Sequence, residues 1–320
     1  MKKNFMVLLV LAVLGSMAFA RGGQESKDEI AVILMALDSD WWHMVEVGAK
    51  IAGSETGYKV TVIGPSAETD VQGQMNMVED TAARGVKAIV LAPNQPTSLV
   101  PSVQKAKDLK VPVVIIDAKL TTTDESLFAC FFGTGNYNAG RIAGDYLVKK
   151  LNAGDKVAII RGNTGQTLHD ERTNGAKDVF EAAGMRVVSI QPADSKRDLA
   201  VNVSENILQA NPDLKCIYCT NDEMALGAYQ AVENAQKQDQ ITIMGFDGAF
   251  GALDSIAAGQ LTASLAQMPI ELGYWGVKRA IDVIEGRPVE KYYDNEVTVV
   301  DKNNVANFRA ELDRKISQIK

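Results

Sequence analysis

Two aspartates end apolar runs: Asp117 follows Val113-Val114-Ile115-Ile116, and Asp247 follows Ile243-Met244-Gly245-Phe246. A carboxylate is costly to bury without partners, so each is expected to project into a crevice. Asn221-Asp222 follows the run Ile217 to Thr220 in the same way. Arg172 opens a helical pattern after the loop 162–169, within reach of either carboxylate. Asn136 and Gln267 fall where the chain passes between its two halves. Asp, Asn, Arg and Gln are planar groups with several donors or acceptors, and they suit a ligand crowded with hydroxyls, each of which both donates and accepts. A charged partner roughly doubles the strength of each bond. Asp38-Ser39-Asp40-Trp41-Trp42-His43 adds two of the three tryptophans. Trp41 or Trp42 would offer a flat apolar surface to the C–H face of a ring, with its indole N–H free to bond. Asp38, Ser39, Asp40, His43 and Ser195 are candidate helpers.

Plainer uses stand beside these. Asp247-Gly248 fits a turn, Asn221 fits an N-cap and can do both jobs, and Arg172 fits an ion pair within Asp170-Glu171-Arg172. The two tryptophans would also staple a strand to its helix. Asp117 has no such alternative, because Ala118-Lys119 carries no turn signal.

Enzymatic chemistry has less support. His43 and His169 are the only histidines, and neither has metal-ligand spacing. No Gly-x-Ser-x-Gly, P-loop or dinucleotide fingerprint occurs. Asp117 and Asp247 would be able to flank a glycosidic bond. A hydrolase, however, needs one carboxyl with a raised pKa, and Arg172 is expected to keep both ionised. No cofactor or metal is expected, and no catalytic residue is assigned.

The elements that must position these residues follow from hydrophobic periodicity. Strands are expected over 30–36, 58–63, 87–92 and 112–117, alternating with helices over 43–56, 70–84 and 97–109. This is a parallel, doubly wound α/β pattern. In it, ligands bind outside the carboxyl ends of the strands, where 36–43 and Asp117 lie. An extended segment over 127–132, a helix over 136–150, a strand over 156–160 and a helix over 170–183 follow. The second half then repeats the first. Gly48-Ala49-Lys50 and Gly57 match Gly175-Ala176-Lys177 and Gly184, Pro65 matches Pro192, and Val111 to Asp117 matches Ile241 to Asp247. Four matches in register indicate an internal duplication, giving two similar α/β lobes that close on a shared cleft. The tail adds a helix over 269–285 and a strand over 292–300, which would complete the first sheet and cross back.

Lys2-Lys3, the apolar stretch Phe5 to Leu14 and Ala18-Phe19-Ala20 form a secretory signal peptide over 1–20, cleaved near Ala20, followed by a flexible leader over 21–28. No cysteine lies near the cut, which argues against a lipid anchor. The formal charge is −7; without Lys2 and Lys3 it becomes −9, with 31 bases against 40 acids. Nucleic acid is therefore not expected as a partner, since phosphate binding needs a cationic face. Cys216 and Cys219 have the spacing of a redox pair, but on a strand they face opposite sides, with Cα atoms roughly 10 Å apart. They are read, with Cys130, as buried structural thiols.

Asn221-Asp222-Glu223-Met224-Ala225-Leu226-Gly227-Ala228, Gly245-Phe246-Asp247-Gly248 and Ala266-Gln267-Met268-Pro269 resemble the ribose-type periplasmic sugar-binding proteins of ABC transporters. Arg141 to Tyr146 and Gln191-Pro192-Ala193-Asp194 match as well, and the similarity spans 29–300. The resemblance implies two Rossmann-like lobes joined by a three-segment hinge, with 29–134 plus 268–296 in the first lobe and 135–267 plus 297–320 in the second. It implies a periplasmic monomer that closes on a monosaccharide and delivers it to an inner-membrane ABC permease, with a chemotaxis receptor as an open second partner. Its pocket residues match Trp41, Trp42, Asp117, Asn136, Arg172, Asn221, Asp247 and Gln267. Three departures remodel that pocket. Ser39-Asp40-Trp41-Trp42 stands for the Asn-Pro-Phe-Phe of ribose binders, Asp117-Ala118 for their Asp-Arg, and Ser195 for an aromatic residue. A hexose, another pentose or a polyol is expected rather than ribose. The alternatives are a receptor for a non-sugar polyhydroxy signal and a sugar-modifying enzyme.

Overall fold

The structure, a computed structural model, describes residues 28–317. The signal peptide, the leader up to Lys27 and residues 318–320 lie outside the described residues. One sheet joins β1 (Glu29–Ile33), β2 (Lys59–Ile63), β3 (Ala88–Leu91), β4 (Val113–Ile116), β5 (Phe131–Gly133) and β11 (Tyr292–Asp294), in the order β11-β5-β4-β3-β1-β2. The other joins β6 (Lys156–Arg161), β7 (Arg186–Pro192), β8 (Leu214–Cys219), β9 (Thr242–Asp247), β10 (Ala263–Ala266) and β12 (Thr298–Asp301), in the order β12-β10-β9-β8-β6-β7. The two orders correspond strand for strand. The pairings are parallel except β10 with β12, which is antiparallel, whereas its counterpart β11 runs parallel to β5.

Strands such as β1, β3 and β4 are wholly buried because helices cover both faces. Successive side chains feed opposite layers: Ile30 and Val32 join one cluster, Ala31 and Ile33 another. Cys216 and Cys219 divide between layers in the same way, as buried free thiols. Around the first sheet lie α1 (Asp40–Thr56), α2 (Val71–Ala83), α3 (Val100–Asp108) and α9 (Pro269–Ile284). Around the second lie α4 (Asn136–Val148), α5 (Thr167–Ala182), α6 (Arg197–Ala210), α7 (Asp222–Asn234), α8 (Phe250–Ala257) and α10 (Val305–Ser317).

The duplication reaches the helix packing. An added Cβ at Gly48 of α1 would lie 1.8 Å from the Ile270 carbonyl oxygen of α9, and one at Gly273 of α9 would lie 1.9 Å from that of Val45. In the second lobe Gly175 of α5 meets the Tyr137 carbonyl at 2.1 Å, and Gly140 of α4 meets that of Arg172 at 2.3 Å. Both helix pairs cross backbone to backbone, and only glycine permits that approach.

Several expected elements differ in extent. The helix expected from 43 begins at Asp40, with extended Ser39 as its N-cap residue, so both tryptophans occupy its first turn. The helix expected over 97–109 is α3, which carries Pro101 in its first turn, where the missing N–H costs nothing. The helix expected from 170 starts at Thr167 and includes His169. The single strand expected over 292–300 is two, β11 in one sheet and β12 in the other. A run of period-two residues cannot signal that its middle, Asn295 to Val297, steps between sheets.

The chain crosses between lobes three times: between Gly133 and Asn136, between Ala266 and Pro269, and between Asp294 and Thr298. The crossings are tied together. Thr134 Oγ1 donates to Gln267 Oε1 at 2.6 Å and approaches the Asn295 carbonyl at 3.4 Å, while Asn295 N–H donates to the Gly133 carbonyl at 2.9 Å. Among the described residues, no helix is long and apolar enough to cross a membrane.

Candidate functional site

Strand ends from both sheets meet across a cleft holding two adjoining cavities. One is about 520 Å³ including its opening to solvent, and the other about 290 Å³. Trp41, Trp42, Glu68, Ser195, Asn221 and Asp247 line both. Asp38 and Ser39 line the larger cavity; Asp117, Arg172 and Gln267 line the smaller. Asn136 lies behind Arg172, and Asp40 and His43 are exposed residues outside both cavities. His43 instead stands 3.7 Å from Glu46 on its own helix.

Asp117, just past the carboxyl end of β4, and Asp247, the last residue of β9, occupy corresponding strand ends, and both have positive φ, 64° and 120°. Non-glycine residues in such backbone cost on the order of 1–3 kcal/mol, and such strain concentrates at functional sites. Asp247 Oδ1 accepts from Gln267 Nε2 at 2.8 Å and stands 3.5 Å from Arg172 Nη1. Arg172 is fully engaged on one side: Nε donates to Asn136 Oδ1 at 2.8 Å, Nη1 donates to the Thr220 carbonyl at 2.9 Å, and its carbon lies 3.7 Å over the Phe246 ring. Asn136 anchors itself by donating to the Thr134 carbonyl. The surface ion pair weighed for Arg172 does not form; its neighbour Asp170 pairs with Arg161.

Asn221 caps α7, its Oδ1 accepting from the Met224 N–H at 2.9 Å, and it still borders both cavities. Asp222 is absorbed structurally, accepting from Ser264 Oγ and the Ala249 N–H, each at 2.7 Å. His169, buried beside the smaller cavity, bridges Thr220 Oγ1 at 2.8 Å and Ser195 Oγ at 3.2 Å. Burial, Arg172 and Arg161 hold its pKa well below the usual value, so it is neutral at pH 7.

The expectation that Arg172 keeps both aspartates ionised fails for Asp247; Asp117 is raised as well but stays mostly ionised at pH 7. Burial pushes Asp117 up to about 6 against the pull of Arg172. It pushes Asp247 well above the carboxylate range, with Asp222 and Asp117 adding to the effect and Arg172 and Gln267 opposing it. One guanidinium cannot offset several buried carboxyls.

The tryptophans meet edge to face at 6.4 Å, and Leu168 from the second lobe packs into their cluster. Of the two indole N–H groups expected to be free, that of Trp42 is taken: its Nε1 donates to Glu68 Oε1 at 3.1 Å. Glu68 was not singled out from sequence. It stands in the β2–α2 loop between Pro65 and Asp70, with no periodic signal, and its only pointer is its place beyond a strand's carboxyl end. Gln166, which lines the smaller cavity and donates to the Asn94 carbonyl across the cleft at 2.9 Å, is another such residue.

The comparisons agree with this architecture. The model of the periplasmic binding protein domain matches residues 30–288. The D-allose-binding periplasmic protein of Escherichia coli is 34% identical over 88% of this chain and 90% of its own length. The ribose import binding protein of Salmonella typhimurium is 32% identical over 87% and 92%. An ABC transporter solute-binding protein from Agrobacterium vitis, solved with bound D-fucose, superposes with a TM-score of 0.85 at 34% identity, covering 89% of this chain and 99% of that one. The chain belongs to the periplasmic binding protein domain family.

Proposed function

We propose that the protein captures a monosaccharide or polyol in the periplasm, closes its lobes on it and presents it to an inner-membrane ABC permease. The observation that carries this is the pair of strained, strand-end aspartates contributed one by each lobe to a cleft completed by Arg172, Asn221 and the tryptophan wall. Ligand hydroxyls donate to Asp117 and Asp247 and restore the solvation that burial removes, and Asn221 and the outer face of Arg172 donate in return. Asn136 and Gln267 hold Arg172 and Asp247 in place. Relatives named for allose and ribose, and a neighbour holding D-fucose, support an aldose. Buried Ala118 offers no guanidinium, which supports a hexose or a polyol ahead of ribose. The first lobe comprises 29–134 and 268–296, the second 135–267 and 297–320. The receptor acts as a monomer without turnover.

A thermal-shift panel of D-allose, D-fucose, D-glucose, D-xylose, D-ribose and myo-inositol tests this. A ligand at 100 times its Kd stabilises by roughly 2.7 kcal/mol. At least one member is expected to raise Tm, and Asp247→Ala is expected to weaken its binding roughly 10- to 100-fold, the worth of charged hydrogen bonds. A panel without any shift sinks the reading, and a new product seen by NMR in excess sugar replaces it with an enzyme.

A further inference from the structure

Glu68 uses each carboxylate oxygen for a different lobe. Oε1 accepts from Trp42 Nε1 at 3.1 Å within the first lobe, and Oε2 accepts from Asn163 Nδ2 at 3.1 Å, from the β6–α5 loop of the second. Two other bonds span the cleft nearby, Gln166 Nε2 to the Asn94 carbonyl at 2.9 Å and Gln95 Nε2 to the Thr164 carbonyl at 3.2 Å. Both of those end on backbone carbonyls rather than on a side chain. Only the Glu68 bond carries a charge-bearing acceptor and also fixes a side chain that faces both cavities.

We propose that Glu68 is a positioning residue that makes lobe closure and the setting of the Trp42 wall a single event, and so restricts the ligand to one with a C–H face against that wall. This rests on the reading of the cleft as a site for a hydroxyl-rich ligand. With the lobes open, Asn163 withdraws and Glu68 keeps only its indole partner. With them closed, both oxygens are occupied and Trp42 is clamped edge-on, its N–H unavailable. A ligand that sets an acceptor oxygen against Trp42 finds its N–H already taken and leaves its own group unpaired, whereas a hydrocarbon face loses nothing. Closure also takes Glu68 away from bulk water into a space it shares with Asp38 and Asp117, so its retention there depends on the donors from Trp42 and Asn163.

The test uses the mature protein with whichever sugar of the panel binds, following association and dissociation by stopped flow for Glu68→Ala, Asn163→Ala and the double variant. Each single change is expected to speed dissociation about 10-fold and to leave association within about 3-fold. The double variant is expected to match Glu68→Ala, because Glu68→Ala already removes the one bond that Asn163→Ala breaks. On a Trp42→Phe background, which lacks the N–H, Glu68→Ala is expected to cost less. Unchanged dissociation for Glu68→Ala, or losses that add in the double variant, overturns the proposal while the sugar-binding reading stands. If the parent protein binds no member of the panel, that reading fails. The clasp is then decided without ligand, by spin labels placed on the outer face of each lobe. Longer distances in Glu68→Ala uphold it, and an identical distribution overturns it.

Discussion

Asp117 combines backbone strain with a carboxyl that burial makes costly to ionise. Its φ of 64° lies in the left-handed region, which Asn tolerates as well as Asp. Its pKa stands near 6 through burial, against an ordinary value of 3.8. A carboxyl raised in the native state binds more protons than its unfolded counterpart between those values, so its effect on stability is most favourable at low pH and is lost as pH rises through 6. Glu68 and Asp222, both raised to about 7 by burial, act in the same direction up to that pH. Ligand-free protein is therefore expected to show a lower Tm at pH 8 than at pH 5.5. Asp117→Asn, which fixes the neutral shape, should recover on the order of 2 kcal/mol at pH 8 while weakening sugar binding. Calorimetry at both pH values checks this, and a variant less stable than the parent at pH 8 would count against it. The position of Asp117 is legible in sequence because its type clashes with the apolar run before it. Its protonation is not, because that depends on how many other carboxyls the fold brings to one guanidinium.

At the scale of elements, alternating apolar runs and the repeated Gly-Ala-Lys segments make two α/β lobes readable from the sequence alone. Boundaries are read less well where local pattern and tertiary packing disagree. Trp41-Trp42 resembles a loop-borne aromatic pair, yet it forms the first turn of α1 because its rings bury against the cluster that includes Met35, Val45 and Leu168. The partners of Gly48 and Gly175 are not visible in sequence at all, since each lies on another helix: Ile270 for Gly48 and Tyr137 for Gly175. This gives the element-scale prediction. In Gly175→Ala the methyl would stand 2.1 Å from the Tyr137 carbonyl oxygen, and backbone on both sides leaves no flexible atom to yield. Separating α4 from α5 should cost about 1–3 kcal/mol. It should also weaken ligand binding, because Arg172 rides on α5 and its Nε partner Asn136 on α4. Denaturant melts with parallel sugar titrations test both effects; a stability loss with intact affinity would show that Arg172 keeps its place independently of the crossing.

For the whole molecule, the feature that joins recognition to motion is the hydrogen-bonded hinge. Thr134, Gln267 and Asn295 stand one on each crossing segment, and Gln267 continues the chain of bonds to Asp247 in the cleft. A bend at any one crossing is therefore felt by the other two, and the orientation of Asp247 is set by the state of the hinge. Hinges of this kind absorb closure in a few residues at the ends of elements. Thr134→Val keeps the volume and removes the hydroxyl that Gln267 accepts from. The expected outcome is a wider spread of ligand-free lobe angles, seen as a larger radius of gyration by small-angle scattering. Affinity should fall several-fold, because Gln267 no longer holds Asp247 in one place. The sugar-bound radius should match the parent, since the ligand itself draws the lobes together. A ligand-free radius equal to the parent's, with unaltered affinity, would mean that the crossings bend independently and that Asp247 is set by Arg172 alone.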